Sequence, residues 1–408
     1  MEQQELIPHL FRTEFRKITS VLCKLFGIAH IEVAEDIASE TFLSAMESWP
    51  YKGIPENPTA WLYSVAKNKA KNYINRSHLF ATKIAGDIKY ASPQTEEIEI
   101  DLSEKNITDS QLQMLFAICH PSILSEAQIG LALRILCGFG IDEIANALLT
   151  NKETINKRLF RAKEKLRQEK VAIEYPGGQE INARLDTVLT TLYLLFNEGY
   201  YSESSDSMLR EDLCLEAMRL THLLIENSPT NLPRVNALLS LMCFQSSRFA
   251  ARKDENGEVI LYEDQDETLW NTGLISNGVY FLNMASQGNE ISKYHIEASI
   301  AYWHTIKEDS SEKWESILQL FNQLLQIEYS PIAALNRTYA LSKANGKQDA
   351  IKEAEKLQLI DNHFYYALLG ELYTTIDNNK ALTNFQKAQS LAKTQTDKQT
   401  IQKKIDRL

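Results

Sequence analysis

The 408-residue chain carries 43 Lys and Arg against 54 Asp and Glu, a formal net charge of −11 near neutral pH. That length exceeds what one hydrophobic core covers and implies two or three units, with 44% hydrophobic residues available to bury. The acidic balance excludes a uniformly basic nucleic-acid binder, and no stretch reaches the ~20 apolar residues of a membrane span.

The charge is unevenly placed. Residues 1 to 175 hold 21 basic and 23 acidic side chains, net −2, whereas residues 176 to 408 hold 22 and 31, net −9. A nearly neutral first half can present local basic surfaces, although the acidic half weakens isolated DNA binding and a partner must then supply affinity. Cys23, Cys119, Cys137, Cys214 and Cys243 are odd in number, lack a Cys-x-x-Cys spacing and sit mostly beside apolar residues. They read as small buried hydrophobes in a reduced, cytoplasmic protein without a structural metal. The start, MEQQELIPHL, has no basic segment followed by an apolar run, so export is not expected.

Residues 32 to 77 propose two helices joined by a Pro- and Gly-rich loop, Pro50 to Pro58. Phe42, Ala45, Met46 and Trp49 give the first an apolar face. Thr59 can cap the second, and Trp61, Leu62, Val65 and Ala66 supply its buried side. The opposite side carries Lys67, Asn68, Lys71, Asn72, Asn75 and Arg76, and Lys67 to Lys83 holds five basic residues and no acid. Basic groups interleaved with Asn, near Trp49 and Tyr51, suit a strand whose bases are unstacked, and a solvated helix face fits the same pattern.

Asp87 to Asp109 holds seven acids and two lysines and reads as an acidic, flexible tether. Beyond it, Leu131 to Arg167 reads as a helix-turn-helix. A first helix from about Asp142 places Ile144, Ala145 and Leu148 on one face, with Ala145 small where two helices cross. Thr150 to Glu153 fits a capping box that starts a second helix near Asn151. In that helix Ile155, Leu159, Ala162 and Leu166 form an apolar stripe beside a polar one of Thr154, Lys157, Arg158, Arg161 and Lys165. Asn151 to Lys170 holds eight basic residues against three Glu, and this concentration on one element is what phosphate contacts need. Base edges are read from the N-terminal part of such a helix, so Asn151, Lys152, Thr154 and Lys157 are the base-reading candidates. Leu149 stands where such turns often carry Gly.

Pro176-Gly-Gly178 marks the best boundary, and the remainder has helical spacing, with one turn signal at Asn256-Gly257. Near the end, Gly370, Tyr373, Ala381, Phe385 and Ala388 approach the small-large-small pattern of a tetratricopeptide repeat, with the Tyr373 to Ala381 interval one residue short. Trp314 to Ile327 with Pro331 to Ala344 keep the size of a repeat without its signature. Such stacks leave a concave surface for a protein partner, or serve only to stabilise. Glu198, Glu263, Asp264, Asp266 and Glu267 read as structural carboxylates that cap helices or pair with Arg210, Arg248 and Arg252. His295, His304 and His363 lack metal-ligand spacing and no glycine-rich phosphate loop is present, so no catalysis and no cofactor are expected.

Ala34-Glu-Asp36, Ser39-Glu-Thr-Phe42, Ala60-Trp-Leu62 and Val65-Ala-Lys-Asn68 together resemble region two of the extracytoplasmic-function sigma factors of bacterial RNA polymerase. The helix-turn-helix resembles their region four. Leu133 to Gly138, Glu143 to Ala145 and Arg158 to Ala162 are similar to a subgroup with a long helical extension. Tyr193 to Tyr200, Asp212 to Ala217, Glu263 to Asp266 before Trp270, and Leu335 to Arg337 resemble segments of that extension.

The resemblance implies an all-α chain. Residues 1–80 would be region two, 81–107 an acidic linker threading a basic channel, 108–172 region four, and 180–408 a tetratricopeptide-like regulatory extension. It implies docking of core RNA polymerase at Asp36, Ser39 and Glu40. It implies minus-ten recognition by Trp49, Tyr51, Lys67, Asn68, Lys71, Asn72, Asn75 and Arg76. Minus-thirty-five recognition falls to Asn151, Lys152, Thr154, Lys157, Arg158, Arg161 and Lys165. Ser39 in place of a common Gln, Lys71-Asn72 in place of Ile-Asp, and a single Arg76 in place of a pair bear on which promoter is read. The alternative is a regulator that uses the helix-turn-helix on DNA and the helical array as a scaffold, without sigma-type polymerase binding.

Overall fold

The computed structural model describes residues 3–84, 100–148, 150–178, 180–200, 211–252 and 260–408. The chain is all helical, with no strand among the described residues. It divides into two compact units, Met1–Leu194 and Leu195–Leu408.

The first unit contains α1 (Gln3–Phe26), α2 (Ile31–Lys52), α3 (Pro58–Ile84), α4 (Glu104–Ile118), α5 (Ser125–Leu131), α6 (Ile141–Ala147), α7 (Lys152–Gln168) and the start of α8 (Glu180–Tyr200). Helix α1 is its hub, packing on α2, α3 and α4 through Phe15, Ile18 and Leu22, all fully buried. Such burial contributes roughly 2 kcal/mol per large apolar side chain.

Several local details differ from the sequence reading. Helix α2 continues through Pro50 to Lys52 before Gly53, at φ 80°, turns the chain, so the loop is shorter than Pro50 to Pro58. Pro50 removes the N–H that would bond the Met46 carbonyl, and the helix ends two residues later at Lys52. Asn57, not Thr59, caps α3, its Oδ1 accepting from the Ala60 N–H at 2.9 Å. Asn151 rather than Thr150 caps α7, accepting from the Thr154 N–H at 2.8 Å. Helix α3 extends to Ile84, and α4 begins at Glu104 behind the Ser103 cap with Ile100 and Leu102 buried. The two ends of the expected linker are therefore structured, while 85–99 lie outside the described residues, as do Leu149 and the Asn256-Gly257 turn.

Between α5 and α6 the chain makes a π turn, Ala132–Leu136. Gly130 permits α5 to approach α7, since a Cβ there would lie 2.9 Å from Leu159. The first part of α8 also belongs to this unit: Arg184 donates to the Phe116 carbonyl at 2.6 Å, and Thr191 donates to the buried Gln128 at 2.8 Å. These bonds place the boundary between units beyond the Pro176 turn.

The second unit contains the end of α8, then α9 (Glu211–Glu226), α10 (Pro233–Ser246), α11 (Thr272–Ala285), α12 (Lys293–Trp303), α13 (Ser311–Ile327), α14 (Pro331–Asn345), α15 (Lys347–Leu357), α16 (His363–Tyr373), α17 (Asn378–Leu391) and α18 (Gln395–Asp406). From α12 onward each helix packs on the next, and α14 also reaches α16. Gly370 of α16 lets α17 close in: a Cβ there would lie 2.6 Å from the Phe385 ring, which is 1% exposed.

Tyr262 organises the middle of this unit. Lys313 donates to its hydroxyl at 3.1 Å and to the Ile306 carbonyl at 2.5 Å, and Lys307 donates to the carbonyls of Tyr262, Glu263 and Gln265. Arg248 and Arg252 lie over the rings of Tyr262 and Tyr200, at 5.4 and 4.1 Å. Among the described residues they form no ion pair with the neighbouring carboxylates expected to hold them, three of which have other donors. Asp266 caps a short turn at Thr268, Glu263 accepts from Tyr339, and Asp264 pairs with Arg407. Arg210 lies outside the described residues.

Candidate nucleic-acid interface

Helix α6 is followed closely in the chain by α7, and the two pack together. Ile144, Ala145, Ile155, Leu159, Ala162 and Leu166 are buried, as their spacing requires. Helix α7 buries that stripe and exposes Lys157 and Arg161, with Arg158 half-buried. Those three cations make no ion pair among the described residues.

Its other cations have partners. Lys152 pairs with Asp142 at 3.0 Å and Lys165 with Glu169 at 2.7 Å, both on the surface. Asn151 uses its side-chain oxygen as the cap, which leaves its amide nitrogen for outward contacts. Thr154 is half-buried beside it. Phe160, 62% exposed, sits beside Arg161 as an apolar element on the outward side that the sequence reading did not single out.

Lys163 and Arg167 are the surprise of this helix. Lys163 is 7% exposed and reaches Glu35 of α2 at 2.5 Å and Glu32 at 3.7 Å. Arg167 pairs with Glu32 and Glu164, and donates to the Ala29 carbonyl at 3.0 Å. Arg134, carried by the π turn, donates to Glu35 at 2.6 Å and to the Phe139 carbonyl at 3.1 Å. Two of the eight basic residues counted on this segment are therefore held by the acids of α2. Charge counting missed this because it cannot tell which side of a helix meets an acid far away in sequence.

On α2 and α3, Asp36, Ser39 and Glu40 are exposed, and Glu40 pairs with Lys69 at 3.0 Å. Tyr51, 90% exposed, stands at the end of α2. Asn68, Asn72, Asn75 and Arg76 are exposed along α3, with Lys67 and Lys71 half-buried. Trp49 is corrected: it is 3% exposed and packs edge-on against Trp61 at 5.4 Å, so in this conformation it supports the loop and presents no face to a base. All five cysteines are buried and outside any disulfide, and burial pushes the Cys119 and Cys243 thiols up to about 12, far from reactive thiolates.

Of these elements, comparison with known proteins bears on α1 to α3. Residues 10–78 match the sigma-70 region 2 model. These residues carry a sigma-70 region 2 domain. Residues 184–286 match a family of unknown function, DUF6596. The chain is 32% identical over 387 residues to the uncharacterized protein R00370 of Rhizobium meliloti, covering 93% of this chain and 90% of that protein, and it belongs to the same family. It is 27% identical over 133 residues to the ECF RNA polymerase sigma-E factor of Haemophilus influenzae, covering 32% of this chain and 70% of that protein. No solved structure matches. The region 2 match, residues 10–78, corresponds to most of α1, to α2 and to the larger part of α3. No described helix is long and apolar enough to cross a membrane.

Proposed function

We propose that this protein is an extracytoplasmic-function type sigma factor that joins core RNA polymerase, reads promoter DNA and starts transcription. The observation that carries the reading is the division of α7. Its inner cations are held by α2, whereas Lys157, Arg158 and Arg161 face outward without an acid, in a chain whose other end matches region 2. Unpaired cations on the outward side of a second helix are the footprint of a major-groove reader. Asp36, Ser39 and Glu40 on α2 dock a basic surface of the polymerase. Tyr51 and the α3 row from Lys67 to Arg76 hold the minus-ten element, and Asn151 to Lys165 hold the minus-thirty-five element.

The helices from α13 to α18 form a tetratricopeptide-like array that binds a protein partner and tunes activity. The Gly370 to Phe385 contact supports this, being the small-large packing that the repeat pattern requires.

Promoter-dependent transcription with purified core polymerase tests the proposal. Asp36→Arg should abolish co-elution with core polymerase and the transcript together. Persistent promoter binding with no polymerase association in the unsubstituted protein would instead identify a helix-turn-helix regulator that acts alone.

A further inference from the structure

In the second unit the segment 260–271 is pinned across the end of α10 at two points. The Ile260 N–H donates to the Arg252 carbonyl at 2.9 Å, and the Asn271 N–H to the Ser247 carbonyl at 2.7 Å. Within the segment only Gln265 and Trp270 are buried, at 7% and 6% exposure. Each buries a polar atom without a partner: Gln265 Oε1 meets no donor and Trp270 Nε1 no acceptor. The chain end beneath them repeats the pattern. Arg248 and Arg252 form no ion pair, and Arg248 Nε and Arg252 Nη1 are buried without an acceptor. Two tyrosines tie these four side chains into one neighbourhood. Arg252 lies over the Tyr200 ring at 4.1 Å, and Arg248 donates to the Tyr200 hydroxyl at 3.4 Å. Arg248 also lies over the Tyr262 ring at 5.4 Å, and that ring stacks on Trp270 at 6.3 Å.

Such an arrangement is costly in a folded chain. A buried N–H without an acceptor loses its hydration for nothing, and a guanidinium drawn out of water without a counter-charge loses more. Other buried cations of this protein avoid that loss. Lys163 has Glu35, and Lys313 has the Ile306 carbonyl and the Tyr262 hydroxyl. The ring faces attract Arg248 and Arg252 but supply no counter-charge. Nearby acids are engaged elsewhere: Glu263 accepts from Tyr339, Asp264 pairs with Arg407, Asp266 caps at Thr268, and Asp309 pairs with Lys343. The carbonyls at the end of α10, whose dipole would repel an anion, are already occupied. Cys243 accepts the Ser247 N–H, Phe244 the Ser247 hydroxyl, and Ser247 the Asn271 N–H. Two whole positive charges therefore dominate the local field.

We propose that the end of α10 and the segment 260–271 form a binding site for a small oxyanion that carries a hydroxyl proton, inorganic phosphate being the simplest. Arg248 Nε and Arg252 Nη1 donate charge-assisted hydrogen bonds to its anionic oxygens, and Trp270 Nε1 donates a third. Gln265 Oε1 accepts from its hydroxyl. Monohydrogen phosphate meets both demands, whereas sulfate is fully ionised near neutral pH and offers Gln265 no donor. All six side chains, the two tyrosines included, fall within residues 184–286, the part of the chain that matches the family of unknown function. The inference rests on these contacts alone and stands without the sigma-type reading.

Calorimetric titration of the full chain with inorganic phosphate, at an ionic strength held constant with chloride, tests the site. Phosphate should bind saturably, one per chain, and raise the thermal unfolding midpoint. Arg252→Gln should weaken binding about tenfold or more, the worth of a hydrogen bond to a charged group. Trp270→Phe keeps the ring beside Tyr262 and deletes only the N–H; it should also weaken binding about tenfold, and it serves if Arg252→Gln fails to fold. Lys352→Gln, at an exposed cation of α15, should leave the affinity unchanged. Sulfate should bind more weakly than phosphate. Absence of saturable phosphate binding overturns the site, as does binding that survives Trp270→Phe at full strength. An equal loss in Lys352→Gln overturns it too, since general surface charge would then be the cause. Sulfate held as tightly as phosphate overturns the role given to Gln265 and with it the proton-bearing class of ligand.

Discussion

Replacing Glu35 by Leu should be among the most damaging single changes in the first unit, and the cluster geometry sets the size of the effect. The carboxylate takes Lys163 at 2.5 Å and Arg134 at 2.6 Å, and the Glu35 and Lys163 side chains are each 9% exposed. Removing one partner of a buried pair costs about 3 to 5 kcal/mol, because the charge left behind is neither solvated nor paired. Here two cations lose their shared acid. Lys163 keeps only Glu32 at 3.7 Å, while Arg134 keeps the Phe139 carbonyl and the Phe15 ring. Glu35→Leu therefore falls near the upper end, about 4 to 5 kcal/mol. Lys163→Met should cost less, about 3 kcal/mol, since Glu35 retains Arg134. The double substitution should cost less than the sum of the two, with a coupling of about 1 to 3 kcal/mol. Urea titration followed by hydrogen exchange in the α2 and α7 peptides reads these values in the intact chain. Additive effects, or a Glu35→Leu cost below about 1 kcal/mol, would show that the cluster is a solvated surface pair and refute the reasoning.

Three further outcomes are expected. Lys157→Ala and Arg158→Ala should each weaken polymerase-dependent promoter binding by about 1 to 3 kcal/mol where the contact is to a base edge, and a phosphate contact should instead lower the salt slope by about one, both measured by titration across ionic strength. His304 is buried beside Arg248 and Lys313, and burial first, then these cations, depress it to about 3. The folded protein therefore refuses a proton that the unfolded chain accepts below about 6.5, so stability is complete above that pH and falls by about 1.4 kcal/mol per unit as pH drops toward the folded value. His304→Phe should flatten that slope in urea melts at pH 7 and pH 5, and an unchanged slope would reject the assignment. Gly370→Ala drives a methyl to within 2.6 Å of the fully packed Phe385 ring and should cost about 1 to 3 kcal/mol by thermal unfolding, with Phe385→Leu in the same chain restoring part of the loss.

Much of this protein was legible without coordinates, because helical periodicity is a local property. The apolar stripe of α7, the small Ala145, the α2–α3 pair and the all-α class follow from residues three and four apart that must share a face. The exposed row on α3 and the exposed acids of α2 were equally readable, since a polar face opposite an apolar one has nowhere to go but outward. Cap positions slipped by a residue or two, as at Asn57 and Asn151, because neighbouring hydroxyl and amide side chains compete for the same orphan donors and local backbone decides among them.

Only the tertiary structure decided how charge is used. Lys163 and Lys157 are six residues apart on one helix and indistinguishable by composition, yet one is buried against Glu35 and the other faces outward. The acid lies 128 residues earlier, on another helix. Trp49 likewise looked available to a base until Trp61 was found covering it. Electrostatic pairing and aromatic packing depend on distances through space, which sequence order does not encode, whereas the hydrophobic rhythm that builds each helix is written along the chain itself.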